Sequence, residues 1–197
     1  MNLILASASS SRAGILRAAA VPFMAVPAGI DEEGIKQELL SRGDEPEAIA
    51  AELADAKALH VSNEHPAALV LGADQVLLFE GELVSKCPDM TAARTLLLRL
   101  KGKAHLLISA LALAENGKIV WSHVETAKLL MRDFSAGFLE SYLSTEGEGL
   151  LAGVGCYRLE AVGAQLFERV EGDYFSILGL PLQPLLAELR RKGVIAQ

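Results

Sequence analysis

Four groups of residues in this sequence have the types that phosphate chemistry needs. The first is Ser7-Ala8-Ser9-Ser10-Ser11-Arg12, directly after the apolar run at residues 3–6. A strand-to-helix turn presents free N–H groups at the positive end of a helix, where anions bind. Hydroxyls and an arginine there add donors suited to phosphate oxygens. The same serines also serve as caps of a surface helix. The second is Asp74, which follows the continuous apolar run at residues 67–72. An acid at a strand end can hold a metal or act as a general base; it can also be a plain turn aspartate. The third is the acidic loop Asp31-Glu32-Glu33, which with Asp74 can offer oxygens to a hard divalent cation. The fourth is a scatter of cations, Lys57, Lys86, Lys101 and Lys103, each on its own an ordinary surface charge. Cations and acids together form the inventory of a metal-assisted phosphoanhydride hydrolase. Spacing alone does not bring them to one place.

The elements that must position these groups can be read from periodicity and punctuation. Residues 3–6 read as a buried strand, and Ile15, Leu16 and Ala19 sit at helical spacing after the serines. A second strand runs from Val21-Pro22-Phe23 to about Val26. Pro46 opens a helix through Ile49, Leu53, Ala56 and Leu59. Residues 67–72 have the composition of a strand buried on both faces. They end in Ala73-Asp74-Gln75, and a separate hairpin follows around Glu80-Gly81. Asp89 caps a helix at about residues 90–100. Asn116-Gly117 between two apolar runs is a strong hairpin signal. A helix around Phe138 and Leu143, an irregular glycine-punctuated stretch at 147–163, a strand at 165–170 and a last helix from Pro181 complete the pattern. Helices and strands interleave, so the expected class is α/β with a partly antiparallel, mixed central sheet flanked by helices.

Composition narrows the classes. The chain has 197 residues, expected to form a single domain over 1–197 or two small lobes around one cleft. At 51% hydrophobic and 22% charged residues it is no disordered protein. Its net charge of −7 disfavours binding a nucleic-acid polymer. Cys87 and Cys156 are the two cysteines, too few for a disulfide framework and in no CxxC pair. The opening residues carry no basic leader and no stretch is apolar enough to span a membrane, so a cytoplasmic location is expected. There is no GxxxxGK[ST], no complete GxGxxG, no GxSxG and no HExxH.

Taken in order, seven segments resemble the Maf family of nucleotide pyrophosphatases, related in fold to the inosine triphosphate pyrophosphatases. Leu5-Ala6-Ser7-Ala8-Ser9-Ser10-Ser11-Arg12 is similar to the family's LAS-x-SPRR, and Ile30-Asp31-Glu32 to its VDE. Residues 54–58 are similar to A-x-x-KA, residues 72–76 to AD-[ST]-VV and residues 85–88 to GKP. Residues 100–105 are similar to L-S-G-x-x-H, and residues 167–182 to the G-[DS]-Y-x-x-[VI]-x-GLPL close. Each is weak alone; seven in order and at fitting intervals are specific. The resemblance implies hydrolysis of nucleoside triphosphates to monophosphate and pyrophosphate with a divalent metal, Mg²⁺ or Mn²⁺. It implies two lobes around a nucleotide-binding cleft and a cytoplasmic homodimer. It places Asp74 on the general-base position and Glu32 on a second essential acid, these two being the metal ligands. Lys57 and Lys86 fall on catalytic positions, and Ser7, Ser9 and Arg12 on phosphate-binding ones. Either Asp74 divides its two oxygens between base and ligand, or the ion takes over the activation of water. The family is associated with septum-formation arrest and with clearing non-standard nucleotides. The alternative function is therefore a nucleotide-binding regulator of cell division with little turnover.

The departures fall where the resemblance puts base choice. The arginine of dTTP- and UTP-directed members, or the tryptophan of 7-methyl-GTP-directed ones, is here Ser11. The residue after the base, Thr or Lys in those groups, is Gln75, and the late position, Gln or Glu, is Glu160. A carboxylate accepts two hydrogen bonds and suits a guanine N1–H and N2–H₂ edge. A uracil-type ring sets two acceptors against it. Glu160 therefore tilts toward a guanine-like base, whereas Ser11 and Gln75 match neither group. A third subgroup with different substrates is expected.

Overall fold

Short apolar runs become buried strands here, and side-chain caps start most of the helices between them. The computed structural model describes residues 2–196. Strand β1 (Leu3–Leu5) leads to helix α1 (Ser10–Ala18), where the Ser9 hydroxyl accepts the Arg12 N–H as N-cap. Then come β2 (Met24–Ala25), α2 (Glu32–Arg42) and α3 (Pro46–Glu64), with proline in the first turn of α3. Strand β3 (Leu69–Phe79) turns at Glu80-Gly81 into β4 (Glu82–Val84), and Asp89 caps α4 (Met90–Leu100). Strands β5 (Ala104–Glu115) and β6 (Lys118–Met131) are joined by Asn116-Gly117, whose φ of 49° and 70° is what a two-residue hairpin turn demands. Helix α5 (Ala136–Glu146), two 3₁₀ segments (Gly147–Ala152, Val162–Leu166) and β7 (Phe167–Glu171) follow. The chain closes with α6 (Tyr174–Ile177) and α7 (Leu182–Arg191).

One mixed sheet joins the strands in the order β2-β1-β3-β5-β6-β7, with β4 on β3. Strand β1 runs parallel to β2 and β3, whereas β3–β4 and β6–β7 are antiparallel. The expected α/β class with a mixed sheet therefore holds. Among the described residues no helix is long and apolar enough to cross a membrane.

Two sequence expectations change. Asp31-Glu32-Glu33 is not a loop: Asp31 is the N-cap of α2, its Oδ1 accepting the Gly34 N–H at 3.0 Å, and Glu32 and Glu33 fill the first turn. Acids at the positive end of a helix stabilise it, so the acidic run marks a helix start. Asp74 does not lie past a strand end either. Residues 69–79 form one continuous strand, and Asp74 and Gln75 sit in its middle.

The chain divides into two compact units, Met1–Gln75 with Ile108–Glu125 and Tyr174–Gln197, and Val76–Leu107 with Thr126–Asp173. In the first unit the period-2 alternation of β1 and β3 serves two cores. Leu3, Leu5, Leu69 and Leu71 join Leu16, Leu185 and Leu189, while Ile4, Ala6 and Val70 join Val61 of α3. Burying one such side chain contributes roughly 1.5–3 kcal/mol. On the α3 face of β3, Gly72 admits the helix backbone itself. A Cβ there would stand 2.1 Å from the Ala54 carbonyl oxygen and 2.8 Å from the Ala58 nitrogen. Gly72→Ala should therefore lower unfolding stability by about 1–3 kcal/mol in a denaturant titration, because neither atom is a flexible side-chain end. A change within about 0.5 kcal/mol would show that the close approach is dispensable.

In the second unit His105 is 2% exposed and its Nε2 lies 2.7 Å from the Tyr157 hydroxyl, while its Nδ1 is buried with no partner. Phe167 packs on both rings. Burial pulls the imidazole down to about 4 and pushes the Tyr157 hydroxyl well up. Between about 6.5 and about 4 the unfolded chain binds a proton that the folded His105 refuses, so its effect is a stability loss as pH falls through that window. The loss approaches about 3 kcal/mol at the bottom of the window. His105→Phe should flatten the stability–pH curve there relative to the parent, as measured by urea titrations at stepped pH. Parallel curves would mean that His105 titrates normally.

Candidate active site

The residues that chemistry singled out in the first unit meet around one buried lysine. Lys57 lies on the β3-facing side of α3, brought close by Gly72, and is only 5% exposed. A buried ammonium must be paired. Its Nζ donates to Asp74 Oδ1 at 2.7 Å and lies 2.7 Å from Glu32 Oε2. Three elements thus converge: the middle of β3, the fourth turn of α3 and the first turn of α2. The two carboxylate oxygens lie within twice that distance of each other, one cation between them. Asp74 is nearly enclosed, whereas about half of the Glu32 side chain reaches solvent.

The serine turn stands beside this triad. Ser7 Oγ accepts the Ser9 N–H at 3.2 Å and an Arg12 Nη1–H at 3.3 Å. Arg12 also donates from Nη1 to the Ala73 carbonyl at 2.9 Å and from Nε to the Gly179 carbonyl at 2.9 Å. Burial pulls the guanidinium below its ordinary value, and the charges of Asp74 and Glu32 offset part of that. Three of its bonds therefore go to the protein itself. Ser10 and Ser11 are exposed on the first turn of α1.

Gln75 points away from Asp74, as successive strand residues must. Its Nε2 lies 2.8 Å from Ser109 Oγ, 3.0 Å from the Ser176 carbonyl and 3.1 Å from the Ile177 carbonyl. Ser109 and Ser176 are 1% and 2% exposed, and sequence reasoning missed both; a serine inside the apolar run of β5 was the available signal.

Lys86 and Glu160 belong to the second unit. Lys86 is exposed between β4 and α4, where the sequence put it. Glu160 Oε1 accepts from Arg158 Nε at 3.4 Å, and Arg158 Nη1 lies 3.4 Å from the buried Glu146 carboxylate. Lys101 and Lys103 are taken up by Asp133 and Glu80.

An ammonium between two carboxylates, next to hydroxyls and N–H groups at a helix start, can hold a polyanion and move a proton. For a divalent ion, Asp74 and Glu32 supply hard oxygens. Among the described residues no group of three His, Cys, Asp or Glu side chains is placed to hold a metal. Two carboxylates with the remaining places left to phosphate and water is how Mg²⁺ is commonly held, so the donor chemistry fits, with Lys57 having to yield the two oxygens it now bridges.

The "Maf-like protein" family profile matches residues 2–192. A nucleoside triphosphate pyrophosphatase of Maricaulis maris is 50% identical over 100% of this chain and 99% of its own. Another of that name, from Granulibacter bethesdensis, is 49% identical over 97% of each chain. A 7-methyl-GTP pyrophosphatase of Brucella abortus is 46% identical over 99% of this chain and 98% of its own. A solved HAM1 protein from Coxiella burnetii shares 16% identity over 68% of this chain and 74% of its own, with a TM-score of 0.42, too loose to bear on the fold. Agreement along nearly the whole length, rather than at one motif, is what decides the matter: this chain belongs to the Maf-like protein family.

Proposed function

We propose that this protein hydrolyses nucleoside triphosphates to monophosphate and pyrophosphate by attack of water on the α-phosphorus. The observation that carries the reading is Lys57 held between Asp74 and Glu32 beside the serine turn. The names of the full-length relatives support the substrate class.

In this reading the N–H groups that open α1, with Ser7 and Ser9, receive phosphate oxygens. Asp74 accepts the proton of the attacking water at a carboxylate oxygen. As the new P–O bond forms, the bond from the α-phosphorus to its bridging oxygen breaks, and pyrophosphate leaves with that oxygen. Lys57 offsets charge gathering on the phosphates, and Arg12 adds a fixed cation next to them. Mg²⁺ or Mn²⁺ held by Asp74 and Glu32 would supply Lewis-acid neutralisation of the triphosphate. Catalytic Lys86 and base-reading Ser11, Gln75 and Glu160 stand on the resemblance alone. So do the two-lobed cleft, the homodimer, the cytoplasmic location and the clearing of non-standard nucleotides. Glu160 favours a guanine-like base, and a base preference outside the dTTP/UTP and 7-methyl-GTP groups follows from Ser11.

The test is a panel of standard and modified nucleoside triphosphates with Mg²⁺ or Mn²⁺, assayed separately for pyrophosphate and orthophosphate. Pyrophosphate release is expected. Orthophosphate alone would remove the α-phosphorus mechanism. Tight nucleotide binding with no product at high enzyme would favour the division-regulator alternative.

A further inference from the structure

Outside the triad, a second polar network with a buried centre at Ser109 and Ser176 lies on the opposite face of β3. Gln75 donates to the carbonyls of Ser176 and Ile177, and Ser109 Oγ donates to the Ser176 carbonyl at 2.7 Å. Ser176 Oγ donates to Glu125 Oε2 at 2.9 Å. Glu125 lies 3.5 Å from His123 Nε2, and Trp121 stacks on His123. Gln75, Ser109, Glu125 and Ser176 come from the four stretches at which the chain leaves or enters the first unit. Two residues beyond Ile177, the carbonyl of Gly179 accepts from Arg12, which also holds Ala73 and Ser7. Gly179 has a φ of +87°, the left-handed backbone that glycine adopts readily.

We propose that Gln75 is a positioning residue that hangs residues 174–179 from β3 as a fixed strap, and that this strap holds the Arg12 guanidinium against the serine turn and next to Asp74. The inference rests on the pyrophosphatase reading for its catalytic consequence. The geometry is specific. Ala73, Asp74 and Gln75 are consecutive, and each makes a different bond: a carbonyl to Arg12, a carboxylate to Lys57, a carboxamide to the strap. The two N–H groups of Gln75 are taken up by the Ser176 and Ile177 carbonyls, which ties its amide nitrogen to the strap. As a strap anchor, Gln75 acts on every nucleotide alike, although the resemblance puts it at a specificity position.

The test compares Gln75→Met with the parent, at temperatures well below unfolding. Loss of the strap moves Arg12 by a fraction of an ångström to an ångström, and kcat should fall roughly tenfold. The fall should be the same for every nucleotide in the panel, with little change in KM. Trp121, the sole tryptophan, packs against the same core cluster as Phe175 and Leu178, so its emission should shift to the red. Ser109→Ala removes one donor and keeps Gln75. It should show the same pattern at roughly threefold, and it decides the matter if Gln75→Met does not fold. A GTP-to-UTP preference that shifts more than kcat falls would mean that Gln75 contacts the base, and would overturn the proposal. So would unchanged kcat with unchanged Trp121 emission. If the parent turns over no nucleotide at all, the pyrophosphatase reading fails, while the Trp121 shift still tests the strap.

Discussion

Asp74→Asn should lower kcat for pyrophosphate release by roughly 10²- to 10⁴-fold, the range that a positioned general base supplies. The substitution keeps size and shape. An amide oxygen can still accept from Lys57 Nζ, now 2.7 Å from Asp74 Oδ1. The negative charge disappears, and with it the capacity to take a proton and much of the hold on a divalent ion. Glu32 remains to pair Lys57, so the fold should survive. The hydrogen bonds of the serine turn and Arg12 go to groups other than the Asp74 side chain, so nucleotide affinity without a divalent ion should change by less than about tenfold. Initial rates at saturating nucleotide, with affinity measured separately by calorimetry, check both halves. A kcat within threefold of the parent would place the base elsewhere.

Lys57→Met should be the most damaging single change to the triad. It removes the ammonium while keeping most of the apolar stem. Glu32, half exposed, can swing its carboxylate into water; Asp74, 9% exposed, cannot. Leaving one partner of a buried pair unmatched costs about 3–5 kcal/mol, so the melting temperature should drop sharply. Turnover should fall by at least roughly 10², since a fixed cation near the phosphates is lost. The variant also separates two roles of the site. In the parent, Lys57 occupies the space between the two oxygens that would hold a divalent ion. With the ammonium gone, millimolar Mn²⁺ without nucleotide should restore part of the lost stability, by binding the folded state alone. The parent should gain much less from the same Mn²⁺. Equal gains in both would mean that the ion and the ammonium do not compete for these oxygens.

Much of the frame was legible because its signals are local. Ser9 and Asp89 cap helices three residues upstream of the N–H groups they accept. Pro46 starts α3, and Glu80-Gly81 and Asn116-Gly117 turn hairpins with positive φ. Each signal needs only its chain neighbours. Helix α2 was not legible, because it buries Leu39 alone and so shows no apolar stripe. The continuity of β3 was hidden for a related reason. Asp74 and Gln75 look like a strand end, since polar side chains in a buried strand are expensive unless paired. Their partners lie 17 and 101 residues away along the chain.

The site divides along the same line. Residue types alone, read with the ordered likeness to one family, were enough to nominate Ser7, Arg12, Glu32, Lys57 and Asp74. What each of them does to the others was decided only by folding. Lys57 reaches both acids because Gly72 lets α3 lie on β3. Arg12 is committed to a carbonyl 167 residues away, and Gln75 faces the strap rather than the triad. The physical reason is reach: caps and turns are satisfied within a few residues, whereas a buried charge or amide takes whichever partner the packed core carries to it.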